Sequence, residues 1–125
     1  MTENEISYII RGAIFKVYNT LGPGLLEKVY VAALVFELKK SGLVAKTEVP
    51  IPVIYETERL DIGFRLDILV NEKVIIEVKS IEQLLEVHHK IVLTYLKLSD
   101  KKLAILVNFN TTNIENSILD RKSVV

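Results

Sequence analysis

Two carboxylates and a lysine, Asp67, Glu77 and Lys79, lie on two short alternating stretches, and their types and spacing suit a divalent metal ion. The first stretch places Ile62, Phe64, Leu66, Ile68 and Val70 on one face and Gly63, Arg65, Asp67 and Leu69 on the other. The second sets Val74, Ile76 and Val78 against Lys73, Ile75, Glu77 and Lys79. For both apolar rows to share one face of a hairpin the loop must hold an odd number of residues, which selects Asn71-Glu72-Lys73 over a two-residue turn. Asp67 then falls opposite Glu77, with roughly 5 Å between Cβ atoms. Opposed carboxylates repel, and Lys79 brings a single positive charge, so a divalent cation between them would relieve the site. The same residues also suit a solvated outer face on which Arg65 and Lys79 neutralise the two acids as surface ion pairs worth little.

Further candidates flank the hairpin. Glu27 shares a helical stripe with Tyr30 and Leu34, which sets an acid beside an aromatic on an apolar surface; as a first-turn acid it also complements a helix dipole. His88 and Tyr95 fall two turns apart on one face of a later helix, where solvent or the core rim would equally accommodate them.

The elements that must position these groups follow from pattern. Thr2 and Glu5 fit a capping box, followed by Ile6, Ile9, Ile10, Ala13, Ile14, Val17 and Leu21 at helical spacing. Gly22-Pro23-Gly24 stops that helix, and a second runs from about Leu25 to Lys40, ending at Ser41-Gly42. Glu48 to Tyr55 reads as a strand, with Val49, Ile51, Val53 and Tyr55 on one face; Pro50 and Pro52 place it at a sheet edge or next to irregular pairing. Glu56 to Arg59 reads as a polar turn into the hairpin. A helix from about Leu85 to Leu98 follows, with Val87, Ile91, Leu93, Leu96 and Leu98 as its apolar surface. Lys102 to Phe109 is a continuous apolar run of the kind buried on both faces, and a right-handed crossover places it parallel to the Glu77 strand. Arg121 to Val125 reads as a short edge strand. The order, two helices, three strands, a helix and a strand, describes a small mixed α/β sheet flanked by helices, and 125 residues suit one domain spanning the whole chain.

Composition narrows the chemistry. The chain has no cysteine, so disulfides and thiolate metal sites are excluded, and any metal must be held by oxygen or by His88 and His89. Sixteen basic and sixteen acidic residues give no net charge, which counts against salt-driven binding of nucleic acid through many phosphates. No apolar run approaches the roughly 20 residues of a membrane span and the first residues are acidic, so the expected location is cytoplasmic, with no membrane partner.

Asp67 followed across a hairpin by Glu77-Val78-Lys79, after an acid-bearing helix, resembles the PD-(D/E)XK nuclease superfamily. Gly24-Leu25-Leu26-Glu27-Lys28-Val29-Tyr30 is similar to the signature of the GxxExxY family within it. The likeness continues through Leu21-Gly22-Pro23-Gly24, Ile76-Glu77-Val78-Lys79, Tyr95-Leu96 and Val107-Asn108-Phe109. It implies a restriction-endonuclease-like core and a nuclease acting on DNA or RNA, with Mg2+ or Mn2+ as cofactor. It also implies Asp67, Glu77 and the Val78 carbonyl as ligands, Glu27 as an additional acidic ligand, and Lys79 orienting or activating the attacking water. Tyr30, His88 and Tyr95 would then support the site or touch substrate. Where that family usually carries a glutamine four residues before the helix tyrosine, this chain has Ile91. That departure and the neutral charge motivate an alternative, a weak or inactive nuclease-fold module that binds protein or nucleic acid. A symmetric homodimer, as in other members of the superfamily, is a further expectation.

Overall fold

The computed structural model describes residues 1–123, apart from the side chain of Ile62. Helix α1 (Glu3–Leu21) starts at the expected capping box: Thr2 accepts from the Glu5 amide, and Glu5 accepts from that of Thr2. Gly22 (φ 69°) and Gly24 (φ 95°) adopt left-handed backbone that suits glycine and turn the chain into α2 (Glu27–Lys40). Strands β1 (Ala45–Tyr55), β2 (Glu58–Val70) and β3 (Val74–Lys79) are followed by α3 (Glu86–Ser99), β4 (Leu103–Asn108), a short 3-10 helix (Ile114–Ser117) and β5 (Ile118–Lys122). The five strands lie in the order β1-β2-β3-β4-β5, antiparallel except for the parallel β3–β4 pair that α3 connects. This is the expected α/β, restriction-endonuclease-like sheet, with a terminal edge strand as its fifth.

Register follows the sequence argument at the hairpin. Val70 pairs with Val74, Leu69 with Ile75 and Ile68 with Ile76, leaving Asn71-Glu72-Lys73 as the loop. Asn71 and Glu72 both take left-handed backbone, and the Lys73 amide closes the turn on the Val70 carbonyl at 2.9 Å. In keeping with its prolines, β1 is an edge strand.

The sheet separates two cores. Ile68, Val70, Val74, Ile76 and Val78 pack against Ile6, Ile10 and Ile14 of α1 and Tyr30, Leu34 and Leu38 of α2. Leu66, Leu69, Ile75, Ala104 and Leu106 pack against Val92 and Leu96 of α3. Every residue of β4 is buried, as its continuous apolar run demands.

Several expectations need correction. The single apolar row along β2 divides: Phe64 and Leu66 face α3, whereas Ile68 and Val70 face α1 and α2. The change of face falls at Asp67, beside a left-handed Glu48 (φ 50°) on β1. Leu69, assigned to the polar face, is buried because α3 covers that side. The distal turn is only Glu56-Thr57, since Tyr55 already pairs with Glu58. On α3, Leu96 and Leu98 meet the sheet-side core as expected, but Val92 joins them in place of Val87, Ile91 and Leu93, which are exposed. Leu21 is exposed at the end of α1. The last strand is Ile118–Lys122, and Val124 and Val125 of the expected edge strand lie outside the described residues. Among the described residues no helix is long and apolar enough to cross a membrane.

Candidate metal centre

Strand pairing between β2 and β3 ends at Ile68 and Ile76, and the next two residues replace ladder bonds with side-chain bonds. The Asp67 amide donates to Glu77 Oε1 at 3.1 Å, and the Val78 amide donates to Asp67 Oδ2 at 2.8 Å. Each carboxylate is thereby held by the backbone of the opposite strand, which fixes both acids at the change of face.

Burial then makes this pair unlike a surface pair. Glu77 is 3% exposed and Asp67 half-buried. Burial, reinforced by the charge of Asp67, pushes the Glu77 carboxyl up to about 8. Burial likewise raises Asp67 above the usual carboxylate range, against the lowering effect of the Val78 amide and Lys79. Among the described residues no lysine or arginine forms an ion pair with either acid. The solvated-face reading, with Arg65 and Lys79 as surface partners, does not describe this geometry.

The half-buried Lys79 closes β3, and its charge reaches both acids. The Glu27 charge also reaches Asp67, but Oε2 of Glu27 accepts from the Ser80 amide at 3.1 Å. Ser80 Oγ donates to the Leu25 carbonyl at 2.6 Å, so the start of α2 is tied to the residue following Lys79. Asp67 opens onto a cleft of about 660 Å³ between α2 and β1, where Glu27, Lys28, Thr47 and Glu48 also lie.

The remaining sequence candidates divide between the site and its scaffold. Tyr95 meets Phe64 edge-on at 5.4 Å, and burial, with the charges of Glu77 and Asp67, raises its phenol pKa, so it borders the acids. Tyr30 is fully buried, stacked on Phe109 at 4.2 Å; its hydroxyl donates to the Gly22 carbonyl and accepts from the Leu25 amide. It shapes the loop before Glu27 from within the core. Replacing Tyr30 with Phe leaves both loop groups unpaired, so urea unfolding should show a loss of about 1–3 kcal/mol with an unchanged m-value. His88 Nδ1 accepts from the Leu85 amide at 2.8 Å and thereby caps α3. Ser80 and Asn108 were not singled out as site residues from sequence, although an amide closing an otherwise apolar strand was a visible signal.

The chain matches the family model of the PD-(D/E)XK nuclease superfamily over residues 4–121. The chain belongs to that superfamily. No curated protein and no solved structure matches it. Divalent metals such as Mg2+ or Mn2+ are general to PD-(D/E)XK nucleases, and the donors here suit them. Among the described residues no three His, Asp or Glu side chains form a ready-made chelate. Two hard carboxylates with water and a substrate phosphate completing the shell are, however, a common Mg2+ arrangement. The burial of Glu77 against Asp67 gives a physical reason: a cation there would replace a proton that burial otherwise favours on the pair.

Proposed function

We propose that this superfamily member is a divalent-metal-dependent nuclease of the GxxExxY type, hydrolysing phosphodiester bonds in DNA or RNA. The observation carrying this reading is the cross-bonded pair of the buried Glu77 and the half-buried Asp67 beside Lys79. Asp67 and Glu77 hold Mg2+ or Mn2+, with the Val78 carbonyl and Glu27 as the further oxygen donors. When bound, the cation stabilises charge on the phosphate and lowers the pKa of its water. Lys79 presents a mobile ammonium at the end of β3, where it orients the attacking water and the phosphate oxygens. Tyr95 and Phe64 form an aromatic border to the site and limit water around the acids. His88 and Tyr30 act indirectly, by fixing the start of α3 and the approach to α2.

Calorimetric titration with Mg2+ and Mn2+ tests the ligand assignment. Asp67→Asn keeps an acceptor for the Val78 amide yet removes a charge, and metal affinity should fall about 100-fold or more, since even outer-shell changes cost 10–100-fold. Cleavage of single-stranded, duplex and branched nucleic acids should accompany binding in the wild type. Wild-type protein that binds neither ion would sink the proposal, leaving the two acids as a proton-sharing pair.

A further inference from the structure

Val107-Asn108-Phe109 spans the end of β4, and its asparagine is buried (5% exposed) where the flanking positions are apolar. Asn108 is the register partner of Lys79 in the parallel β3–β4 pair. Its amide makes three hydrogen bonds. Oδ1 accepts from the Ile81 amide at 3.1 Å and from the Asn110 amide at 3.2 Å, and Nδ2 donates to the Ile81 carbonyl at 2.9 Å. Both backbone groups of Ile81 are therefore paired by one planar side chain, much as a neighbouring peptide unit would pair them. The orientation of this amide is fixed by its partners, because a flip would set its NH2 against two N–H groups.

The bonds around Lys79 show what this achieves. The Phe109 amide donates to the Lys79 carbonyl at 2.9 Å, the Ser80 amide is taken by Glu27, and the Ser80 hydroxyl by the Leu25 carbonyl. The chain after Lys79 thus leaves the sheet under restraint from α2, from the backbone after β4 and from the Asn108 side chain. A lysine head rides on a long flexible stem, so where it dwells depends on the direction its backbone gives that stem. We propose that Asn108 is a positioning residue that directs Lys79 toward the acid pair through the Ser80–Ile81 joint, a role that rests on the nuclease reading above. Among side chains of this size, asparagine alone combines the two acceptor bonds with the donor bond. Aspartate lacks the donor and would bring another negative charge near Glu77, leucine offers neither, and glutamine is a methylene too long.

The test compares wild type with Asn108→Leu, which preserves size. Amide hydrogen exchange should quicken about tenfold or more at Ile81 and Asn110 while the β3 and β4 amides keep their protection. Mn2+ affinity should stay within about twofold. Single-turnover cleavage should fall about 10–100-fold with KM unchanged, the pattern of a displaced group rather than a lost binding contact. Asn108→Asp keeps the acceptor for both amides, so it should fall between the two and serves for the same measurements if leucine prevents folding. Unchanged exchange at Ile81, protection lost evenly across β3 and β4, or an unchanged cleavage rate would each overturn the role. Wild-type protein that cleaves nothing would instead remove the nuclease reading. The positioning claim would then be decided by acylation of the Lys79 amine, with Lys28 as internal reference: a variant-dependent rate at Lys79 alone supports it, and equal rates overturn it.

Discussion

On the proposed nuclease reading, Lys79→Met should lower metal-dependent cleavage by about 100- to 10,000-fold while leaving the fold and metal affinity intact. The size follows from what one well-placed charged donor contributes in a partly dehydrated site. Lys79 is half-buried at the end of β3 and forms no ion pair among the described residues, so its removal breaks no structural contact of note. Methionine preserves the apolar stem, which separates loss of charge from loss of packing. Single-turnover rates at saturating Mn2+, read beside calorimetry and a thermal melt, check the prediction. A variant cleaving within a few fold of wild type would dismiss Lys79 from the chemistry.

Glu77→Gln should stabilise the metal-free protein and abolish its metal binding. The wild-type Glu77 carboxyl is raised to about 8 by burial and by Asp67, from an ordinary value of 4.5. In the unfolded chain it titrates near that ordinary value, so between about pH 4.5 and 8 the folded state holds a proton that the unfolded state releases. Stability therefore falls as pH rises across this window, by up to about 1.4 kcal/mol per pH unit, and the penalty is complete above the folded value. Glutamine is never charged and can still accept from the Asp67 amide, so the variant should lose this alkaline decline and melt higher than wild type at neutral pH. Metal competes with the same proton, and wild-type affinity should strengthen as pH rises toward about 8. Added Mg2+ should consequently offset part of the wild-type decline, because ligands that bind only the folded state stabilise it. Melts from pH 5 to 9, with and without Mg2+, read all these effects. A flat wild-type profile that glutamine does not change would contradict the buried-acid geometry. The opposition of stability and function at one residue is expected wherever a site buries charge for use.

What was legible in the sequence was local and periodic. Alternation on both arms, together with the parity of the loop, determined the Asn71-Glu72-Lys73 turn and set Asp67 against Glu77. Capping chemistry placed the start of α1, prolines suited β1 to an edge, and an unbroken apolar run marked β4 as an interior strand buried on both faces. The superfamily motif was visible for the same reason, since its spacing lies within one hairpin.

Only the tertiary structure decided the electrostatic character of the site. Period-2 patterning says which residues share a face but not what covers it, so pattern alone left Glu77 open to both a solvated and a metal-site reading, and only packing in three dimensions buries it. The change of face at Asp67 was hidden because it arises where two strands cease to pair and carboxylates take over the backbone bonds. Glu27 and Ser80 are 53 residues apart, and Asn108 and Ile81 are 27 apart. Bonds of that span depend on how α2 and β4 meet the end of β3, and no local pattern encodes that meeting. Sequence thus determined which groups could do the chemistry, whereas long-range packing decided which are dehydrated and which are held.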